Sequence, residues 1–170
     1  MSGAEGAVSG GTAAAGSGAG AAAGFSATDL AWLQLAEALH GRVVPLLELA
    51  PSRAGEPLTR VARRLGTAHE KGRGRLRALL AEAGVTGDNP HALHDMPGMP
   101  TADELRALDG LRGDAFERRF TALLRAYLNQ LVLVANGERD AGGAVRVREL
   151  AEEMAGEHTK DLAELDRTAG

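Results

Sequence analysis

The side chains best suited to chemistry fall into two groups. His91, His94, Met96 and Met99 lie in one stretch, GVTGDNPHALHDMPGMP, from Gly84 to Pro100. Imidazole together with thioether is a soft ligand set that suits monovalent copper better than magnesium or calcium, and the spacing lets the four close around one ion. The plainer reading is that methionines in a proline-rich loop fold back to cap the end of a helical core. His40, His69 and His158 form the second group, each on or beside an apolar helical stripe. Three neutral imidazoles would suit a metal ion, whereas the plainer expectation is three buried polar groups bonded to the backbone or to one another. Glu70 and Asp161 neighbour these histidines and could orient a ring, although surface charge is their ordinary role.

Other chemistries find no support. The chain has no cysteine, which removes disulfides, thiolate zinc sites and thiol nucleophiles together. No nucleophile elbow, Ser-His-Asp motif or strand-to-helix glycine turn is present, so an enzyme is not expected. With 19 basic and 23 acidic residues the net charge is −4, which leaves no broad basic surface for nucleic acid. Trp32 and Tyr127 sit on apolar stripes and read as core aromatics.

These residues must be positioned by helices. The longest pattern is Gly113 to Ala135, where Phe116, Phe120, Leu123, Leu124, Tyr127, Leu131 and Val134 recur at three- and four-residue steps and so share one helical face. An earlier helix starts at a cap around Ser26 to Asp29 and carries Leu33, Ala36, His40, Val43, Leu47 and Ala50, with a kink expected at Pro45. A second helix runs from Pro57 to about Ala83, its arginines at 60, 63, 64, 73, 75 and 77 reading as a solvated face. Gly72 and Gly74 weaken it by roughly 1 kcal/mol each. Thr101 and Glu104 form a capping box for a short helix. Asn136 to Gly143 reads as a turn, and a last helix spans about Ala144 to Arg167.

Residues 1–25 are almost all Ala, Gly and Ser and read as a disordered leader, too poor in large apolar groups to offset the entropy of ordering. Residues 26–168 then suit one four-helix domain, all-α, of up-down-up-down form. The leader lacks the basic and leucine-rich regions of a secretory signal, and no apolar run is long enough to span a membrane. The chain as given therefore reads as cytoplasmic, with a cell-envelope or secreted location as the alternative if translation starts upstream. Homodimerisation or a protein partner is the other use for helix faces so rich in alanine and leucine.

The first and third long helices align without gaps when Leu35 is matched to Phe120, Leu39 to Leu124 and Ala50 to Ala135. The second and fourth align with His69 on His158 and Leu76 on Leu165. The pattern is that of a duplicated helical hairpin. LLELA at 46 to 50, MPGM at 96 to 99, GDAFERRF at 113 to 120 and VRELAEEM at 147 to 154 resemble the ferritin-like domain-of-unknown-function 305 family, some of whose members bind copper in the bacterial cell envelope. The resemblance implies a ferritin-like bundle and copper as the metal. It also implies a His-His pair in each of the first and third helices, where this chain has Arg42 and Val43, then Tyr127 and Leu128. Lacking both pairs, the chain reads as a diverged member: a non-catalytic bundle with weak copper handling through its remaining His and Met residues, or a structural or interaction bundle with no metal role.

Overall fold

The computed structural model describes residues 24–170. Apart from Gly24 and Phe25, the expected leader lies outside them. The described residues form six helices and no strand: α1 (Ala27–Arg42), α2 (Val44–Arg53), α3 (Glu56–Glu82), α4 (Ala102–Asp109), α5 (Gly113–Ala141) and α6 (Val145–Ala169). The architecture is all-α, as expected. α1 packs chiefly on α3 and α5 chiefly on α6, while α1 to α5 and α3 to α6 contacts join the two pairs into one bundle.

Local sequence accounts for most boundaries. At the start of α1 the Ser26 hydroxyl accepts from the Asp29 amide at 3.1 Å and the Asp29 carboxylate accepts from the Ser26 amide at 2.5 Å, a complete capping box. The expected kink is a break at Val43: α1 ends, and α2 restarts with Pro45 in its first turn, where a missing N–H costs nothing. Thr101 and Glu104 cap α4 reciprocally, as read from the sequence. Gly98, in the MPGM segment, has φ +81, and a Cβ there would meet the Gln130 Cβ at 2.6 Å and the Ala126 carbonyl oxygen at 2.9 Å, so glycine is what lets the loop lie against α5.

Two expectations are corrected. The turn expected at Asn136 to Gly143 is mostly helix, since α5 runs on to Ala141. That extra stretch buries Glu138 beside Asp29. Asp29 in turn accepts from the Gly143 amide at 2.8 Å and the Ala144 amide at 3.0 Å, clasping the start of α1 to the α5–α6 turn. Burial, then the bond it shares with Asp29 and the charge of that neighbour, push the Glu138 carboxyl up to about 8 against the opposing pull of Arg148. Burial also works against the Asp29 carboxylate, yet its bonds to Glu138, Ser26, Ala144 and Gly143 outweigh that and hold it at about 2. With both groups ionised, neither oxygen of Glu138 has a donor. A proton on Glu138, given to Asp29, satisfies one of those two oxygens. The second correction concerns Phe25, placed in the leader by composition: it is buried in the core under the Arg146 guanidinium, 5.0 Å from the ring centroid.

The core divides into two apolar clusters. One gathers Leu39, Leu65, Phe116, Phe120, Leu124, Tyr127 and Leu165, and the other Trp32, Leu33, Ala36, Leu76, Val147 and Met154. Along α3 the changeover falls between Leu65 and Leu76, and along α6 between Met154 and Leu165. A polar layer occupies that seam.

Candidate functional site

The seam is where His40, His69 and His158 converge. Their ring centroids stand 4.9 Å apart for His40 and His69, and 5.4 Å for each pair with His158. All three are buried. Each comes from a different helix, α1, α3 and α6, and Gly72 makes room for them: a Cβ there would meet the His40 Nε2 at 3.3 Å and the Met154 Cε at 3.4 Å. The helix-weakening glycine thus packs closely against the histidine layer. α5 closes the far side with Tyr127, whose ring lies 5.6 Å from that of His69 and whose hydroxyl donates to the Leu39 carbonyl at 3.0 Å. Position 127 therefore holds a core phenol facing the same layer.

Hydrogen bonding fixes two tautomers. The Nδ1 of His40 lies 2.7 Å from the Ala36 carbonyl oxygen and that of His69 lies 2.9 Å from the Leu65 carbonyl oxygen. A carbonyl only accepts, so both rings carry the proton on Nδ1 and leave a lone pair on Nε2. The His69 Nε2 is buried with no hydrogen-bond partner, and so is the His158 Nδ1. Burial, followed by the neighbouring His69 and His158, pushes the His40 imidazole well below its ordinary range; burial and His158 bring His69 to about 4. At neutral pH these two rings are uncharged. The plainer expectation, buried imidazoles bonded to the backbone, is met at the Nδ1 of His40 and His69 and not at His158.

Asp161 is the residue the sequence underrated. Read as surface charge, it is buried, with its Oδ2 3.6 Å from the His158 Nδ1 and its Oδ1 accepting from the Arg64 Nη2 at 3.0 Å. Burial alone would raise its carboxyl, but His158 and Arg64 hold it lowered. Glu70, by contrast, is exposed. A cleft of about 380 Å³ between α3 and α6 reaches all three histidines, with Arg64, Arg75, Glu157 and Lys160 among the charged residues lining it. A larger hollow of about 500 Å³, near Thr121 and the C-terminus, touches none of them. On α3, Arg60, Arg63, Arg64 and Arg77 are exposed, as a solvated face requires, while Arg73 and Arg75 are half-buried; Arg75 pairs with Glu153 at 2.5 Å, and Arg73 and Arg77 both donate to the buried Glu37 at 2.8 and 2.9 Å.

The loop histidines and methionines part company. Met99 is buried in the first apolar cluster and Met96 packs against it, half-buried, which is the cap expected of methionines here. His94 is exposed and His91 half-exposed, their ring centroids 6.5 Å apart. Arg42 donates to the Ala92 and His94 carbonyls and to the Asp95 carboxylate at 3.3, 3.1 and 2.8 Å, tying this loop to α1. Among the described residues, no group of three or more His, Cys, Asp or Glu side chains is arranged to hold a metal ion as it stands. Nor is any of the described helices long and apolar enough to cross a membrane.

The comparisons agree with the fold. A DUF305 fragment from Deinococcus radiodurans superposes with a TM-score of 0.77 at 16% identity, covering 86% of this chain and 98% of that one. A DUF305 protein from Streptomyces coelicolor, named as a candidate secreted protein, superposes with a TM-score of 0.71 at 20% identity, covering 81% of this chain and 88% of its own. No curated protein matches the chain. Residues 29–169 match the family described as Domain of unknown function (DUF305). The chain belongs to the DUF305 family.

Proposed function

We propose that this protein is a non-catalytic, ferritin-like bundle built from a duplicated hairpin, and that it binds one metal ion, copper being the first to test, at His40, His69 and His158. The observation that carries the reading is the spacing of the three rings. An imidazole centroid stands about 3 Å from a metal bound at about 2.0–2.1 Å, so three imidazoles around one ion hold their centroids about 5 to 5.5 Å apart. The observed separations of 4.9 to 5.4 Å need ring rotation and little helix movement to become a ligand set. Energetics point the same way. The buried His69 Nε2 without a partner costs about 1–3 kcal/mol, which an apolar side chain at the same place would avoid, and a cation bound by its lone pair converts that cost into binding.

Imidazole nitrogen suits copper and zinc, and the neutral state of His40 and His69 leaves their lone pairs free for either. Copper is the metal that the family resemblance implies. The His91, His94, Met96 and Met99 set is the weaker candidate because binding there would pull Met99 out of the core. A second reading, a bundle that docks on a protein partner or a second copy, is favoured by Leu93, which is 93% exposed beside these loop histidines. A cell-envelope or secreted location accords with the description of the Streptomyces neighbour.

Anaerobic titration with copper(I) against a competing chelator tests the reading. One ion per chain is expected, lost in the His69→Leu/His158→Leu variant and retained when His91, His94, Met96 and Met99 are all replaced. Retention by the first variant and loss by the second would move the site to the loop, and no uptake by the unaltered chain would leave the interaction reading.

A further inference from the structure

His158 is held differently from its two companions. His40 and His69 each donate Nδ1–H to a carbonyl four residues back on their own helix, so the backbone sets both ring and tautomer. His158 has no such bond. Its buried Nδ1 lacks a hydrogen-bond partner, and the Asp161 Oδ2 stands off at 3.6 Å, beyond hydrogen-bond range. The other Asp161 oxygen, Oδ1, is engaged by Arg64, which reaches over from α3 at the lining of the same cleft and also pairs with Glu164. One buried carboxylate thus lies between two groups, bonded to the guanidinium and short of the imidazole.

We propose that Asp161 is the positioning residue of the three-histidine site and that Arg64 competes with His158 for it. When Arg64 yields Asp161, the carboxylate accepts the His158 Nδ1–H, which places the lone pair of His158 on Nε2 and turns that atom toward the other two rings. The inference rests on the metal reading above and names what controls the third ligand. A carboxylate on the far nitrogen of a metal-bound imidazole fixes its tautomer, orients its ring and raises its basicity. Arg64 can leave at small cost because Glu164 remains to pair with it and its side chain is 43% exposed. A cation entering the seam repels the guanidinium and favours that exchange. Tyr127 does not compete, since its hydroxyl is given to the Leu39 carbonyl.

The two residues should therefore act on metal affinity with opposite signs, which a merely structural role for either would not produce. In the copper(I) competition, Asp161→Asn should weaken binding by about 10–100-fold at unchanged stoichiometry, and Arg64→Gln should tighten it by roughly fivefold, the scale of one partly exposed ion pair. The double variant should lose the gain that Arg64→Gln gives alone. In the metal-free protein, ¹⁵N-edited spectra of Arg64→Gln should show the His158 Nδ1 proton moving downfield as it meets Asp161, a readout independent of metal and of whether Asp161→Asn folds well. Changes of the same sign in both single variants, a gain from Arg64→Gln that persists in the double variant, or an unmoved His158 resonance overturns the inference while leaving the metal site intact. Absence of copper uptake by the unaltered chain overturns both.

Discussion

Replacing Glu138 by glutamine should abolish a loss of stability that the unaltered chain suffers between pH 7 and 9. Glu138 is 2% exposed, lies against Asp29, and has its carboxyl raised from 4.5 to about 8. A group with a raised folded value contributes stability that is complete below its unfolded value and is lost as pH climbs through the folded one, because the native chain binds the extra proton. Between 4.5 and 8 the slope from Glu138 is about 1.4 kcal/mol lost per pH unit. Below pH 6.5 the lowered His40 and His69 oppose it, since their contribution grows as pH rises. Above pH 7 Glu138 stands alone, and with a folded value of about 8 the loss from pH 7 to pH 9 works out at about 1.4 kcal/mol. In a domain of this size that is a fall in Tm of about 3–6 °C. Glutamine keeps the shape and the donor toward Asp29 without a titrating proton, so the Glu138→Gln chain should hold a flat Tm over the same range. Equal slopes in the two proteins would refute the shared-proton clasp.

Three further outcomes follow from the packing. Gly74→Ala should stabilise by about 0.5–1 kcal/mol in denaturant unfolding, because a Cβ there meets nothing within 4 Å and helix propensity decides; Gly72→Ala, two residues earlier, should forfeit that gain and weaken copper(I) binding by displacing the His40 ring. Gly98→Ala should cost roughly 1–3 kcal/mol, since the residue combines a positive φ with a Cβ overlapping Gln130 and the Ala126 carbonyl, and limited proteolysis should then cut the Gly84 to Pro100 loop faster. Tyr127→Phe should lower stability by about 1 kcal/mol, the worth of the hydrogen bond to the Leu39 carbonyl, without changing metal stoichiometry.

Much of the fold was legible because apolar spacing and caps are local signals. Ser26, Thr101, Pro45 and Pro57 sit where their chemistry puts them, and helices α3 and α6 run close to the limits their stripes give. The end of α5 was not legible: Asn136, Gly137, Gly142 and Gly143 look like a turn, and the clasp of Asp29 on the Gly143 and Ala144 amides, which fixes where the turn falls, joins residues far apart in sequence. The histidine layer was partly legible. Position on an apolar stripe, and the match of His69 to His158 in the internal alignment, pointed inward. What no spacing gives is that the rings approach within 4.9 to 5.4 Å, that two backbone bonds fix their tautomers, or that Asp161 is buried with Arg64 as its partner. The ring approach and the Arg64–Asp161 pair join residues of different helices, which are far apart in sequence.

X-ray absorption at the copper edge on the protein loaded with one equivalent of copper(I) tests the central claim most directly, because nitrogen and sulfur ligands differ in both bond length and scattering. The three-histidine site predicts a first shell of nitrogen alone at about 2.0 Å, with the multiple-scattering pattern of imidazole. A shell containing sulfur at about 2.3 Å that is lost when Met96 and Met99 are replaced, and not when the core Met154 is, would place the ion in the loop and contradict the account.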